Sequence, residues 1–243
     1  MRLIFDLDST LLNCESLEKA MEIALRDFSE NEKRAALREI EKLTNAGMNG
    51  EISPLESLRA RLKIAKIGEQ NLRDFAENLQ KNILPETQNL ISKCRAAGAE
   101  IFIVSGAPEI FVFRVAEILQ IPCENCRGVI FEFLPNDDLN FSKIAADKIS
   151  LFESLNLSRD QKIVGIGDGA TDLQLFERKL VDDFIAFTKF ARRENVIRAA
   201  PKVAKNENEL WNILENSHCF QNLWVKNFQT YTNKDKIHFL KNA

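Results

Sequence analysis

Three short polar clusters in the sequence carry side chains that could together move a phosphoryl group. Each follows a run of apolar residues, and the clusters are Asp6-Leu7-Asp8-Ser9-Thr10, Ser105-Gly106 and Asp168-Gly169-Ala170-Thr171-Asp172. A carboxylate can attack phosphorus to form an acyl-phosphate, which divides one difficult displacement into two easier ones. Because the attacking carboxylate and the phosphate repel each other, this chemistry needs a cation between them.

The clusters supply each group that such a reaction requires. Asp6 is the candidate nucleophile, and Asp6 and Asp168 offer the oxygen ligands that Mg²⁺ prefers. Asp8 lies two residues along an extended chain from Asp6, so it can share one face with it and transfer protons to the leaving group and from water. Ser105 and Gly106 offer a hydroxyl and a backbone N–H to phosphate oxygens. A lysine would neutralise charge on the nucleophile and the phosphate together.

Each cluster alone has a plainer interpretation. A lone Asp-x-Asp after a strand is more often a turn, and Ser-Gly after a strand is usually a loop. Gly-Asp-Gly-x-x-Asp could be a tight turn with a helix cap, or part of a calcium loop, but the other acidic positions of such a loop are missing. All three clusters in order, each behind an apolar run, favour one shared site.

The pattern of apolar residues predicts the elements that position the clusters. The predicted buried strands are residues 3–5, 101–104, 162–167 and 184–187, with a strand or hairpin near 129–131. The predicted helices between them are residues 86–97, 109–119 and 142–155, the last with Ser142 as its N-cap. Alternating strands and helices predict a parallel sheet, which binds ligands at the carboxyl ends of its strands.

A long helical stretch separates the first strand from the rest of the predicted sheet. Residues 15–84 contain no convincing strand, and the loop predicted at 45–50 interrupts their helical spacing. We therefore predict an α/β fold, with a Rossmann-like parallel sheet core and a helical cap domain inserted after the first strand. The predicted domains are a core of residues 1–14 and 85–215, a cap of 15–84, and a C-terminal extension of 216–243 with no assigned role.

Composition limits the classes of partner. The 243 residues include 33 basic and 36 acidic side chains, for a net charge of −3, which gives no electrostatic reason to expect nucleic acid. No apolar run is long enough for a membrane span, and the N-terminus has no secretory pattern, so we expect a cytoplasmic enzyme. Oligomeric state stays open.

The five cysteines are expected to be reduced, and a single Cys123-x-x-Cys126 pair favours a structural role over zinc or redox chemistry.

The three clusters resemble the motifs of the haloacid dehalogenase superfamily and, within it, the phosphoserine phosphatases. The resemblance runs from about residue 1 to 215 and is carried by FDLDSTL at 5–11, IFIVSGAPE at 101–109 and GIGDGATDL at 165–173. It implies Asp6 as nucleophile and Asp8 as general acid and base. It also implies Mg²⁺ held by Asp6, the backbone carbonyl of Asp8 and Asp168, with Asp172 in support.

The lysine of this family has no rigid sequence signature. Lys143, Lys148 and Lys162 all precede the last motif. We favour Lys143, because it begins the helix predicted after Ser142 and that helix end should face the active-site edge. Lys148, further along the same helix, is expected to face solvent, and Lys162 to enter its strand from the far edge.

The resemblance also implies a substrate, O-phospho-L-serine, hydrolysed to serine and phosphate as in serine synthesis. Glu15 stands nine residues after Asp6, where these phosphatases carry a glutamate for the substrate ammonium. Arg61 stands where an arginine pairs with the substrate carboxylate, through the two parallel donors of its guanidinium. The remaining substrate contacts are expected from Met48, Ser105, Gly106 and Thr171.

Two departures from the family pattern keep alternatives open. Pro54 stands where the family often has a phenylalanine over the substrate, and Ala107 where it often has a second glycine. Glu15 could instead be an ordinary first-turn acid of a helix, and Arg61 a solvated helix residue. The alternatives are a phosphatase for another small phosphomonoester, and a non-catalytic relative that binds a phosphorylated metabolite or a partner protein.

Overall fold

A single sheet of six strands underlies the fold. The computed structural model describes residues 1–48, 51–135, 139–140 and 147–217, without the side chains of Asn45, Gly47, Met48 and Pro54. The strands in these ranges are β1 (Arg2–Phe5), β2 (Glu100–Pro108), β3 (Cys126–Val129), β4 (Ile163–Gly167), β5 (Asp183–Phe187) and β6 (Lys202–Ala204). Their order is β3-β2-β1-β4-β5-β6.

This order has a functional consequence. The β1–β4, β2–β3, β4–β5 and β5–β6 pairs are parallel. The order 3-2-1-4-5-6 is that of a doubly wound sheet, whose ligand crevice lies beyond the carboxyl ends of the strands where the winding reverses, here β1 and β4. The predicted α/β fold with a parallel sheet is confirmed.

The chain forms two compact units. The first comprises Met1–Phe5, Pro85–Phe102 and the residues from Leu157 onward. Its helices are α5 (Pro85–Ala96), α8 (Ala170–Glu177), α9 (Glu194–Ala199) and α10 (Glu207–Glu215). Leu173, Phe184, Ala186 and Val196 form an apolar cluster in this unit, so helices α8 and α9 are held against β5 by buried surface.

The second unit comprises Asp6–Leu84 and Ile103–Asn156. Its helices are α1 (Ser16–Ala24), α2 (Glu30–Met48), α3 (Pro54–Ala65), α4 (Glu69–Asn78), α6 (Glu109–Leu119) and α7 (Lys148–Glu153). Short 3₁₀ turns lie at Leu25–Asp27, Leu79–Asn82 and Cys123–Asn125. The Phe75 and Phe111 rings meet edge to face with centroids 5.1 Å apart, which packs α4 against α6.

Most predicted elements are confirmed, and the differences lie at their ends. Four predicted strands correspond to β1, β2, β4 and β5, whereas β3 begins before residue 129 and β6 was not predicted. The described part of residues 15–84 is helical, but α2 runs through Met48, so the loop predicted from residue 45 begins too early. The limits proposed for the core and cap domains stay a prediction.

Local capping explains where two helices begin. Ser53 and Glu56 form a reciprocal capping box at α3, with Pro54 as the first helical residue, where its missing N–H costs nothing. Helix α7 begins at Lys148 rather than after Ser142, because Asp147 has an extended backbone and accepts hydrogen bonds from the N–H groups of Ile149 and Ser150. The predicted cap Ser142 and the extension beyond Ser217 lie outside the described residues.

Two further predictions concern membranes and cysteines. None of the helices in the described ranges is both long and apolar enough to cross a membrane. Cys123 is an exposed free thiol, and Cys126 is a buried free thiol in β3. Burial raises the pKa of Cys126 to about 12, which keeps its thiol protonated and unreactive.

Candidate active site

Asp6 follows β1 directly, and its carboxylate is paired with a lysine. Lys148 Nζ lies 2.6 Å from Asp6 Oδ1, and the lysine side chain is only 6% exposed. Lys148 is the first residue of α7, where a positive charge opposes the helix dipole. A buried ammonium in that unfavourable place indicates a functional rather than a stabilising role.

The expectation that Lys148 faces solvent is therefore wrong. Because Asp147 rather than Ser142 caps the helix, Lys148 occupies its first turn instead of its middle. The favoured Lys143 lies outside the described residues. Lys162 is half-buried and contacts Asp183 at 3.2 Å, next to the start of β4.

Asp8 is held by the N-terminus of α1. The backbone N–H of Ser16 donates to Asp8 Oδ1 at 3.0 Å. Burial raises the pKa of the Asp8 carboxyl well above its usual range, and the negative charges of Glu15 and Asp6 raise it further, against the opposing hydrogen bonding from Ser16. These effects favour a protonated Asp8, which is the form that a general acid needs.

The second cluster lies in the second half of β2, because the strand continues beyond the predicted residue 104 to Pro108. Ser105 is 2% exposed, and its hydroxyl oxygen accepts a hydrogen bond from the N–H of Ala107 at 3.2 Å. Gly106 is exposed, and a Cβ built on it would have no heavy atom within 4 Å. Packing therefore gives no reason for a glycine at 106, whereas close approach of a phosphate oxygen would.

The third cluster fixes two buried carboxylates at the end of β4. Asp168 and Asp172 are each 4% exposed. The Gly169 N–H donates to Asp172 Oδ2 at 2.9 Å, which closes the first turn of α8. A Cβ on Gly167 would lie 2.3 Å from Asp172 Cγ, so only glycine admits this carboxylate. Thr171 is exposed in the same turn.

Arg193 is a site residue that sequence reasoning missed. Arg193 occupies the N-cap position of α9, and its Nε donates to Asp168 Oδ2 at 2.7 Å. The neighbouring Arg192 pairs with Glu194 instead, and no sequence pattern distinguishes the two arginines.

The strand register explains how the first and third clusters meet. Phe5 of β1 is paired with Ile166 of β4, so Asp6 and Asp168 follow neighbouring strands at the same edge of the sheet. One carboxylate oxygen from each of Asp6, Asp168 and Asp172 lies within 4.8 Å of the others. Hard oxygen ligands at this spacing suit Mg²⁺.

Of the predicted substrate residues, Glu15 occupies the N-cap position of α1, and Arg61 lies on α3. The Arg61 side chain is 16% exposed, and its Nη1 lies 3.8 Å from Glu18 Oε1. Burial lowers the pKa of Arg61, while the charges of Glu18 and Glu15 oppose that shift. Among the described residues, the buried Arg61 Nε has no hydrogen-bond partner. Arg61 is therefore not the solvated helix residue of the plainer interpretation. The Met48 side chain is not described.

Comparison with known proteins identifies the family. Residues 3–177 match the model of the haloacid dehalogenase-like hydrolases. A phosphoserine phosphatase of Drosophila melanogaster is 27% identical over 205 residues, covering 81% of this chain and 71% of the relative. Another, from Albidiferax ferrireducens, is 34% identical over 184 residues, covering 70% and 72%.

A solved structure agrees with these relatives. A phosphoserine phosphohydrolase-like protein from Francisella tularensis is 33% identical, with a TM-score of 0.76 over 87% of this chain and 98% of that one. The chain belongs to the haloacid dehalogenase-like hydrolase family. The predictions that it is an enzyme of this family and that it resembles the phosphoserine phosphatases are confirmed.

Gly167 and Gly106 provide a matched test of this geometry. Gly167→Ala should lower the free energy of unfolding by about 1–3 kcal/mol, because the new Cβ displaces a buried carboxylate. Gly106→Ala meets open space and should leave stability unchanged or raise it by about 0.4–1 kcal/mol. Urea denaturation of both variants measures the difference. Equal stability of the two would contradict the close approach of Asp172 to Gly167.

Proposed function

We propose that the protein is a Mg²⁺-dependent phosphomonoesterase that forms an aspartyl-phosphate on Asp6 and hydrolyses O-phospho-L-serine. The observation that carries the proposal is the buried pairing of Asp6 with Lys148 at 2.6 Å, beside two further buried carboxylates. Carboxylates that only stabilised the fold would not need to converge at the ligand-binding edge of a doubly wound sheet.

The metal site is composed of oxygen ligands. Asp6, Asp168 and the backbone carbonyl of Asp8 would hold Mg²⁺, with Asp172 in support, and the spacing of the three carboxylates fits this role. Bound there, Mg²⁺ would offset the repulsion between the nucleophile and the phosphate. Arg193 and Gly167 fix the directions of Asp168 and Asp172 for that purpose.

The other steps of the proposed reaction are carried out by residues of the chain itself. Asp6 attacks phosphorus, while Lys148 balances the negative charge of the nucleophile and the phosphate. Asp8 protonates the leaving serine oxygen and later takes a proton from the water that hydrolyses the aspartyl-phosphate. Its raised pKa supports the first role. Ser105, Gly106 and Thr171 would contact the phosphate oxygens.

The acid and base on α1 and α3 support an amino-acid phosphate as substrate. Glu15 would receive the ammonium and Arg61 the carboxylate. Burial lowers the pKa of Arg61, and the charges of Glu18 and Glu15 oppose that shift. Partly buried charges of opposite sign suit a zwitterionic ligand better than a neutral one. The relatives named as phosphoserine phosphatases support the same substrate.

One observation favours a second candidate function. Pro54 is the first residue of α3 and lies within its capping box. The family often has an aromatic residue at this position, whereas in this chain the position serves to begin a helix. A different small phosphomonoester is therefore the alternative substrate. The non-catalytic alternative gains nothing from the structure, since binding alone does not require a buried lysine on Asp6.

A lysine series tests the catalytic part of the proposal. Lys148→Met should lower kcat about 10²–10³-fold, as expected when a preorganised charge is removed from a reacting centre. Lys162→Met is the matched control within the described chain, and Lys143→Met tests the position favoured from sequence. Both should retain activity within about threefold. Loss of activity in Lys143→Met with a fully active Lys148→Met would overturn the assignment.

A substrate series tests the recognition part. Phosphate release with Mg²⁺ is measured for phosphoserine, phosphoethanolamine and phosphoglycolate, with Asp6→Asn as the inactive reference. Arg61→Ala should lower kcat/KM for phosphoserine about 10–150-fold and spare phosphoethanolamine, which has no carboxylate. Glu15→Gln should harm both ammonium-bearing substrates and spare phosphoglycolate. Equal losses on all three would indicate damage to the fold and remove the basis for an amino-acid phosphate.

A further inference from the structure

Ser9 has a backbone conformation that its position in the fold does not explain. Its φ is 51°, in the left-handed region that non-glycine residues avoid. The other non-glycine residues with positive φ in the described chain are Lys66, Gln120, Asn156 and Lys179. Each of those four follows the end of a helix, where a left-handed residue commonly ends the helix. Ser9 lies between a strand and a helix, so its conformation needs another cause.

The Ser9 side chain makes the contact that supplies this cause. Ser9 is 5% exposed, and its hydroxyl donates to Glu15 Oε1 at 2.8 Å. Its backbone N–H also donates to the carbonyl oxygen of Cys14 at 3.2 Å. The left-handed residue therefore closes the loop onto residues 14 and 15. A strained backbone that serves one side-chain contact points to function.

Glu15 is directed away from the role that its position predicts. It is the residue that caps α1, yet its carboxylate makes no capping hydrogen bond to that helix. The helix N–H of Ser16 is taken by Asp8 instead. Glu15 is therefore not an ordinary helix-end acid, and its carboxylate is oriented by Ser9.

We propose that Ser9 is a positioning residue for amine recognition, which fixes the Glu15 carboxylate so that it receives the substrate ammonium. This inference rests on the proposed function, because it assigns Ser9 to the same substrate pocket. Ser9 acts through Glu15 and takes no part in the transfer of the phosphoryl group. An acid held in one orientation loses less conformational freedom when the ammonium binds, so the hydrogen bond contributes to affinity.

The test uses two substrates that differ only in the amino group, phosphoserine and 3-phosphooxypropanoate. The quantity measured is the amine preference, defined as the ratio of kcat/KM for phosphoserine to that for 3-phosphooxypropanoate. Ser9→Ala should lower this preference about five- to fiftyfold, since it removes a hydrogen bond to a charged group. The kcat/KM for 3-phosphooxypropanoate should stay within about threefold of wild type.

Ser9→Gly is the matched variant, because glycine adopts the left-handed backbone without strain. Ser9→Gly should lose as much of the amine preference as Ser9→Ala, and it should be the more stable variant. If Ser9→Ala fails to fold, Ser9→Gly therefore still measures the effect of removing the hydroxyl. In a Glu15→Gln background, Ser9→Ala should change the preference no further, because its partner is already altered.

The outcomes separate the inference from the proposed function. If wild type prefers phosphoserine and both Ser9 variants keep that preference, the positioning role is overturned and the proposed substrate stands. If both substrates lose activity equally, Ser9 shapes the catalytic loop and the inference is again overturned. If wild type shows no amine preference, the proposed ammonium site fails and the inference fails with it.

Discussion

The contact between Asp6 and Lys148 is the interaction on which the proposed mechanism depends, because a carboxylate that attacks a phosphate needs positive charge beside it. The 2.6 Å contact between Lys148 and Asp6 requires α7 to begin where it does, with Asp147 as its cap. It also requires that the first residue of that helix be buried, against the preference of a lysine and of the helix dipole. In the other compact unit, Arg193 provides positive charge beside the buried carboxylate of Asp168 in the same way.

The loop after β1 connects catalysis to recognition. Asp8 is fixed by the first N–H of α1, and Ser9 is fixed by Glu15 at the same helix end. Glu15 in turn raises the pKa of Asp8 and opposes the lowering of the pKa of Arg61. The start of α1 therefore positions both Asp8, the proposed proton donor, and Glu15, the proposed acid for the substrate ammonium. Only seven residues separate Asp8 from Ser16, so the short loop holds Asp8 and Glu15 at the same end of α1.

Sequence reasoning succeeded where a feature is local and failed where it depends on a helix end. Runs such as residues 3–5 and 184–187 predict strands because fully buried strands must be apolar throughout. The acidic clusters after β1 and β4 were found because parallel topology brings strand ends together. Lys148 was misjudged because Ser142 and Asp147 are both good caps, and a difference of five residues decides which lysine is in the first turn. Asp147, with Ser150 three residues later, was the overlooked signal.

Other features could not be predicted because they are contacts between distant residues. Nothing local distinguishes Arg193 from Arg192, yet only the first meets Asp168. The left-handed backbone of Ser9 could not be predicted either, because a sequence motif specifies residue types but not backbone torsion angles. Pro54 was noticed as a departure, but its place as the first residue of α3 required the capping box to be seen.

If Asp6 carries the phosphoryl group during turnover, the aspartyl-phosphate can be trapped chemically. Wild-type protein that is turning over phosphoserine with Mg²⁺ is quenched with borohydride, which reduces an acyl-phosphate to an alcohol. We expect homoserine in place of aspartate at position 6 in the digested peptides, and none in Asp6→Asn. Reduction at Asp8 or Asp168 instead of Asp6 would contradict it.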